Sequence, residues 1–132
     1  MTLTTFINTY LGKKVDYDKT NGCQCTDLYR QYCKDVLEIP QTPSLGENGG
    51  AKDIFDKHGV LNATPDTILT DYSRGDVLIW GATKTNKYGH VAILVDIYNT
   101  KYLIVLEQDG FKQDGVKLTM RSREGLLGCL WK

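Results

Sequence analysis

The sequence predicts an α+β fold, and three observations carry that prediction. Apolar residues repeat at helical spacing only within the first 58 residues. After residue 74 the pattern changes to short apolar runs separated by Gly, Asn, Lys and Asp, with no helical stretch between them. Finally, 132 residues without a linker-like, repetitive or low-complexity segment suit one domain spanning 1–132. Helices first and strands second is the α+β order, and strands with no helices between them pair antiparallel. Both halves are expected to share a core.

Leu3, Phe6, Ile7, Tyr10 and Leu11 form one apolar stripe, so the first element is an amphipathic helix with Thr2 as its N-cap and Gly12 as its stop. Residues 13–22 read as a polar loop. A second helix is expected to begin near Cys23–Gln24, because Cys25, Leu28, Tyr29, Tyr32, Cys33 and Val36 share a face. Asp27 falls in its first turn, where the helix dipole favours a negative charge. Pro40 and Pro43 end this unit, Ser44–Gly50 reads as a Gly-rich loop, and a short helix from Ala51 to His58 closes on Gly59. Strands are expected at Gly75–Trp80, His90–Tyr98, Tyr102–Glu107, Val116–Met120 and Leu126–Trp131.

Composition removes several function classes. Lys plus Arg and Asp plus Glu number 16 each, so the formal net charge is zero and no basic patch suggests nucleic acid or an acidic membrane as partner. The longest strongly apolar run, Val91–Val95, is far too short to span a bilayer. The N-terminus shows no basic segment followed by an apolar one, hence no secretory signal. Four Cys are too few for a disulfide scaffold.

Cys25 stands where a loop becomes a helix, and a helix N-terminus stabilises the thiolate that acts as a nucleophile. Such a Cys is otherwise a small buried hydrophobe, the reading given to Cys33 and Cys129; Cys23 is read as inert or exposed. A thiol nucleophile needs a base, and only His58 and His90 exist. His58, near a helix C-terminus, reads as a surface or capping residue. His90 opens the most apolar strand, which suits either a structural or a catalytic role. A catalytic imidazole also needs an orienting group. Glu107 ends a strand that is otherwise apolar, where a carboxylate must be paired. Glu107 and Asp109 are two apart and on a continuing strand would face the same side, although both could instead lie solvated in a turn.

The loop before Cys25 has calcium-loop arithmetic. Ligands in a twelve-residue calcium loop come from positions 1, 3, 5, 7, 9 and 12. From Asp16 as the first, these are Asp18, Thr20, Gly22, Gln24 and Asp27. Asn21 replaces the glycine at position 6 and Asp27 replaces the terminal Glu. Spacing alone leaves a cation site and a solvated acidic turn both open. Zinc is a poor alternative, because Cys23-x-Cys25 lacks the usual spacing and no second pair follows.

Several segments together resemble the CHAP family, the cysteine, histidine-dependent amidohydrolases/peptidases, and in particular the catalytic domains of bacteriophage endolysins. Gly22-Cys23-Gln24-Cys25-Thr26-Asp27-Leu28 is similar to that family's nucleophile segment, and Gly75-Asp76-Val77 with Trp80 to its first strand. Tyr88-Gly89-His90-Val91-Ala92 resembles its histidine segment, and Leu106-Glu107-Gln108-Asp109 its acidic segment. The resemblance runs from about residue 3 to 131. It implies a papain-like α+β fold and hydrolysis of amide bonds in the stem or cross-bridge peptides of peptidoglycan. It also implies Cys25 as nucleophile, His90 as general base, Glu107 as its orienting group and Asp109 at an auxiliary position. The Cys25 N–H is then an expected oxyanion donor, with Gln24 as a second candidate. Some members carry an Asp-x-Asp calcium loop before the Cys, which favours a calcium ion at Asp16, Asp18, Thr20, Gly22 and Asp27. The expected protein is a monomer acting on the cell wall, held in the host bacterial cytoplasm until holin-dependent release, or associated with the virion. Two alternatives belong to other classes: a non-catalytic, calcium-stabilised wall-binding module, and a papain-like protease acting on proteins.

Overall fold

The computed structural model describes residues 1–40 and 50–132. The expected Gly-rich loop at Ser44–Gly50, apart from Gly50, and the stop at Pro43 lie outside the described residues. Helix α1 (Leu3–Tyr10) starts on Thr2, whose side chain accepts the Thr5 N–H as predicted. Helix α2 (Cys25–Tyr32) starts slightly later than the apolar spacing suggests. Gln24 is the N-cap and Cys25 the first helical residue. Beyond Tyr32 the chain widens into a π-helical turn, Cys33–Leu37, and stops at Glu38 with φ +54°. The expected helix from Ala51 to His58 is only a 3₁₀ turn, Ala51–Phe55. His58 lies beyond it, its Nδ1 paired with the Leu61 carbonyl.

Among the described residues, six strands form one antiparallel sheet: β1 (Asn62–Pro65), β2 (Val77–Trp80), β3 (His90–Ile97), β4 (Tyr102–Glu107), β5 (Lys117–Ser122) and β6 (Leu126–Trp131). Their spatial order is β1-β6-β2-β3-β4-β5. Sequence patterning missed β1, because Asn-Ala-Thr-Pro has no apolar alternation; the strand exists as an edge pairing of Asn62–Pro65 with Gly128–Trp131. The fifth strand starts one residue later than expected. Val116 is drawn away by the chain after α1, exchanging backbone hydrogen bonds with Lys13 and Gly12.

The central strands are buried on both sides. Val77, Ile79, Val91, Ile93, Leu106 and Leu130 meet α1 and α2 through Phe6, Leu28, Tyr29 and Tyr32. The alternate residues Leu78, Trp80, Ala92, Leu94, Leu103 and Val105 form a second cluster with Tyr72, Leu126 and Cys129 on the opposite face. The sheet curls far enough that the Trp80 indole on β2 donates to the Ser122 carbonyl on β5 at 3.0 Å. Both clusters converge where β3 begins and β4 ends, beside the N-terminus of α2.

Candidate active site

Cys25, His90 and Glu107 come together at that point. Cys25 is the first residue of α2, which packs chiefly on β3. His90 opens β3, opposite Trp80, and is 8% exposed. The Gly89 before it has φ +75°, and a Cβ there would sit 2.4 Å from the Trp80 carbonyl oxygen, so only glycine lets the chain approach this closely. Asn86 holds the same turn through its amide on the Gly89 carbonyl.

His90 Nε2 lies 3.0 Å from Glu107 Oε1. The other ring nitrogen, Nδ1, is thereby left for the cleft, which Cys25 lines together with His90, and the Cys25 side chain raises the proton affinity of the ring. Glu107 is 1% exposed and is gripped by the Arg121 guanidinium, Nε to Oε1 at 2.8 Å and Nη2 to Oε2 at 3.1 Å. Burial by itself lowers the His90 pKa, but the contacts with Cys25 and Glu107 outweigh it and hold the imidazole up at about 9. Burial likewise raises Glu107, yet the hydrogen bonds from His90 and Arg121 dominate and hold its carboxyl down at about 2. The geometry therefore stabilises the imidazolium that forms when His90 takes the Cys25 proton, with the Glu107 carboxylate facing the ring and Arg121 balancing the carboxylate from behind.

Asp109 does not join this chain. Strand β4 stops at Glu107, and Asp109 opens the next turn, where its carboxylate accepts the N–H groups of Phe111 and Lys112. The alternation that would have put it on the Glu107 side does not continue. Asp109 lines the mouth of a cleft of about 530 Å³ that contains Cys25 and His90 and is bordered by Gln24, Tyr88 and Phe111. Gln24 thus lies beside the nucleophile position. The remaining cysteines are apart from the cleft, and all four are free thiols. Cys33 and Cys129 are buried, and burial pushes their thiols up to about 11 and about 12, which suits inert packing residues.

Two glutamines that the sequence did not single out tie the acidic strand to the segment carrying Cys25. Gln108 is fully buried. Its Oε1 accepts the Val15 N–H at 2.7 Å, and its amide donates to the carbonyls of Val15 and Gln24 at 3.0 and 2.9 Å. Gln113 does the same one turn later, accepting the Cys23 N–H at 2.9 Å and donating to the Cys23 and Gly110 carbonyls. A Cβ on Gly22 would come 2.1 Å from Gln113 Oε1, so that glycine is required for the grip. Neither partner set has a sequence signal, since backbone atoms are the recipients. Gln108→Ala is expected to cost about 2–4 kcal/mol, because buried backbone groups lose their only side-chain partner. Urea denaturation would measure it, and a cost below about 1 kcal/mol would show that the segment holds without Gln108.

The carboxylates of Asp16, Asp18 and Asp27 also meet, each offering an oxygen within 4.8 Å of the others. Asp27 is 1% exposed; burial chiefly, with Asp18 and Asp16 adding repulsion, raises its carboxyl to about 6. Its two oxygens accept the N–H groups of Gln24 (2.9 Å) and Asp18 (3.4 Å), so the cluster is wired to the residue before Cys25. Asp16 Oδ1 is buried with no hydrogen-bond partner. Asn21 and Gly22 have the left-handed backbone that the tight loop demands, φ +62° and +73°. Thr20 folds back on Asp18 through its N–H and hydroxyl, and Arg30 reaches the other Asp18 oxygen at 3.3 Å. Three close carboxylates, one with an orphaned buried oxygen, suit a hard cation bound through oxygen.

Solved structures show the same architecture. The chain superimposes on Ly7917 with a TM-score of 0.72 at 17% identity, covering 95% of this chain and 59% of that one. It matches the wild-type endolysin LysIME-EF1 equally well, at 0.72 and 20% identity over 96% of this chain and 60% of that one. Ly7917 with the hydrolyzing product of MDP gives 0.68 at 18% identity, covering 95% and 59%. The chain thus spans about three fifths of the length of these structures, and its fold is the papain-like α+β type. No curated protein matches the sequence. The CHAP domain model matches residues 14–109, the stretch that contains the acidic loop, Cys25, His90 and Glu107, and the chain belongs to the CHAP family.

Proposed function

We propose that the cleft is the active site of a peptidoglycan hydrolase of the endolysin type, cutting an amide bond in a stem or cross-bridge peptide. The observation that carries this reading is that Cys25 and His90 line one open cleft while His90 Nε2 is held on the buried Glu107 carboxylate. Membership in the CHAP family and the likeness to endolysin folds support the substrate class.

The Cys25 sulfur attacks the amide carbonyl, and its proton passes to His90 Nδ1. The tetrahedral oxyanion forms at the start of α2. The first N–H groups of a helix lack partners within the helix, and that of Cys25 is placed to donate; Gln24 borders the same space. His90 returns the proton to the departing amine as the C–N bond breaks, leaving a thioester on Cys25. Water then attacks the thioester, with His90 taking one of its protons, and the acid leaves as the thiol re-forms. Glu107 holds the ring by Nε2 throughout. Asp109 shapes the turn at the cleft rim, where its Oδ1 accepts the Phe111 and Lys112 N–H groups.

Calcium is the cation we assign to the acidic loop, with Asp16, Asp18 and Asp27 as carboxylate ligands and the carbonyls of Thr20 and Gly22 as additional ones. Its contribution is charge compensation that braces the segment leading into Cys25.

Mass spectrometry of the fragments released from purified cell walls tests the reading and identifies the bond. New amine and carboxyl termini within the peptide part are expected; cleavage between sugars, or of casein but not walls, would overturn it. Phe111 is 70% exposed at the cleft rim, which suits an apolar contact for substrate. Phe111→Ala is expected to raise KM about threefold to tenfold with unchanged melting temperature. An unaltered KM would place substrate elsewhere.

A further inference from the structure

We propose that Arg121 is a positioning residue for the hydrolytic site, acting on His90 through Glu107. The inference rests on the Cys25–His90–Glu107 reading above and adds a residue to it. Arg121 lies opposite Leu103 in the β4–β5 pairing. Residues 103, 105 and 107 point to one face, so Arg121 shares that face with Glu107 and reaches its carboxylate along the sheet. The two bonds at 2.8 and 3.1 Å occupy both carboxylate oxygens, while His90 shares Oε1.

The fork fixes the carboxylate plane. With His90 as its only side-chain partner, the buried Glu107 could pivot about one hydrogen bond, and the imidazole with it. Two parallel N–H bonds remove that freedom, which a Lys ammonium could do only in part. Trp80 completes the clamp. Its ring lies 5.9 Å from the His90 ring and 5.5 Å from the Arg121 guanidinium, and its indole N–H is fixed on Ser122. Both cations of the site therefore lean on one aromatic ring, one on each side of Glu107.

The fork also divides the carboxylate's charge. A buried carboxylate facing only an imidazolium holds the ring proton tightly, whereas His90 must release that proton to a leaving amine. A second cation on the same carboxylate loosens it. Burial and the Arg121 charge both pull the imidazole's proton affinity down against the lift from Cys25 and Glu107. Among the described residues, the titratable groups facing His90 are Cys25 from α2, Glu107 from β4 and, through Glu107, Arg121 from β5. Tyr88 and Asp109 border the same cleft, and Lys52 packs against Gly89.

The test compares Arg121→Met, Arg121→Lys, Glu107→Gln and the Glu107→Gln/Arg121→Met double variant by the rate of peptide release from purified cell walls. His90 is titrated by ring-nitrogen NMR, all variants carrying Cys25→Ala for this measurement so that neither turnover nor the thiol intrudes. Arg121→Met is expected to slow release roughly tenfold to hundredfold, as loss of a group that orients a catalytic ligand does. It should also raise the His90 midpoint, with Arg121→Lys intermediate in both. In the Glu107→Gln background, Arg121→Met should change the rate by less than about threefold, because the two residues act as one unit. Multiplying losses in the double variant, or an unmoved His90 midpoint, would overturn the proposal and leave a packing role. Should Arg121→Met not fold, Arg121→Lys keeps the packing, and its midpoint decides alone. Full release by Cys25→Ala would instead defeat the underlying mechanism, a result distinct from any outcome at Arg121.

Discussion

Cys25→Ala is expected to reduce release of peptide from cell walls by at least about three orders of magnitude, the usual loss when a covalent nucleophile is removed. Among the described residues that line the cleft, no other cysteine replaces it. Cys23 is buried two residues away with its sulfur directed at Gln113, and Cys33 and Cys129 are sealed in the two cores. Cys25 itself is only partly buried, so truncating it leaves a small space at the cleft floor and should cost less than about 1 kcal/mol of stability. Activity and stability should therefore separate, and a matched melting temperature certifies that the loss is chemical. Alkylation supplies an independent measure: iodoacetamide should label Cys25 well ahead of Cys33. Equal wall clearing by Cys25→Ala and wild type would leave a binding module in place of an enzyme.

Removing calcium is expected to lower the melting temperature by about 10 °C. A cation present at a hundredfold excess over its dissociation constant contributes about 2.7 kcal/mol, and each kcal/mol moves the midpoint of a chain this size by about 4 °C. Activity should fall with it, because the Asp27 carboxylate that would hold the cation also accepts the Gln24 N–H, one residue before Cys25. Asp16→Asn distinguishes a cation site from an acidic turn by sign. Asp16 Oδ1 has no hydrogen bond to lose, and the residue makes no contribution to the α2 cap. In a bare cluster the substitution relieves repulsion on the buried Asp27 and stabilises the protein. At a cation site it removes a ligand charge, destabilises the protein and reproduces the effect of chelation. A protein indifferent to excess chelator and stabilised by Asp16→Asn would have no calcium there.

The helices and strands were legible because burial imprints a period on the sequence. Leu3 to Leu11 and Cys25 to Val36 repeat at helical spacing, and β2, β3, β4 and β6 are apolar runs bounded by turn residues, while β5 shows its strand as alternation, with Leu118 and Met120 exposed. Where burial leaves no imprint, reading failed. The edge strand Asn62–Pro65 is polar, and Val116 looked like the start of β5 although its backbone is bonded to Lys13 and Gly12. The short helix predicted through His58 is a 3₁₀ turn that stops at Phe55, and element ends are where periodicity says least.

At the site, what the sequence determined by itself was the inventory. It supplied a Cys at a helix start, a His at a strand mouth, a carboxylate ending an apolar strand and an acidic loop with ligand spacing. These are local facts of residue type and position, and each left a structural reading open beside the chemical one. Only the tertiary structure decided which of them touch. It brought His90 between Cys25 and Glu107, put Asp109 in a turn, and drew three aspartates together. It also revealed Arg121, Gln108 and Gln113, which no local pattern marks. The physical reason is that a hydrogen bond or ion pair is set by distance across the fold, often to backbone atoms that every residue carries. Periodicity along the chain reports which side of an element is buried, and is silent about what lies on the other side of the contact.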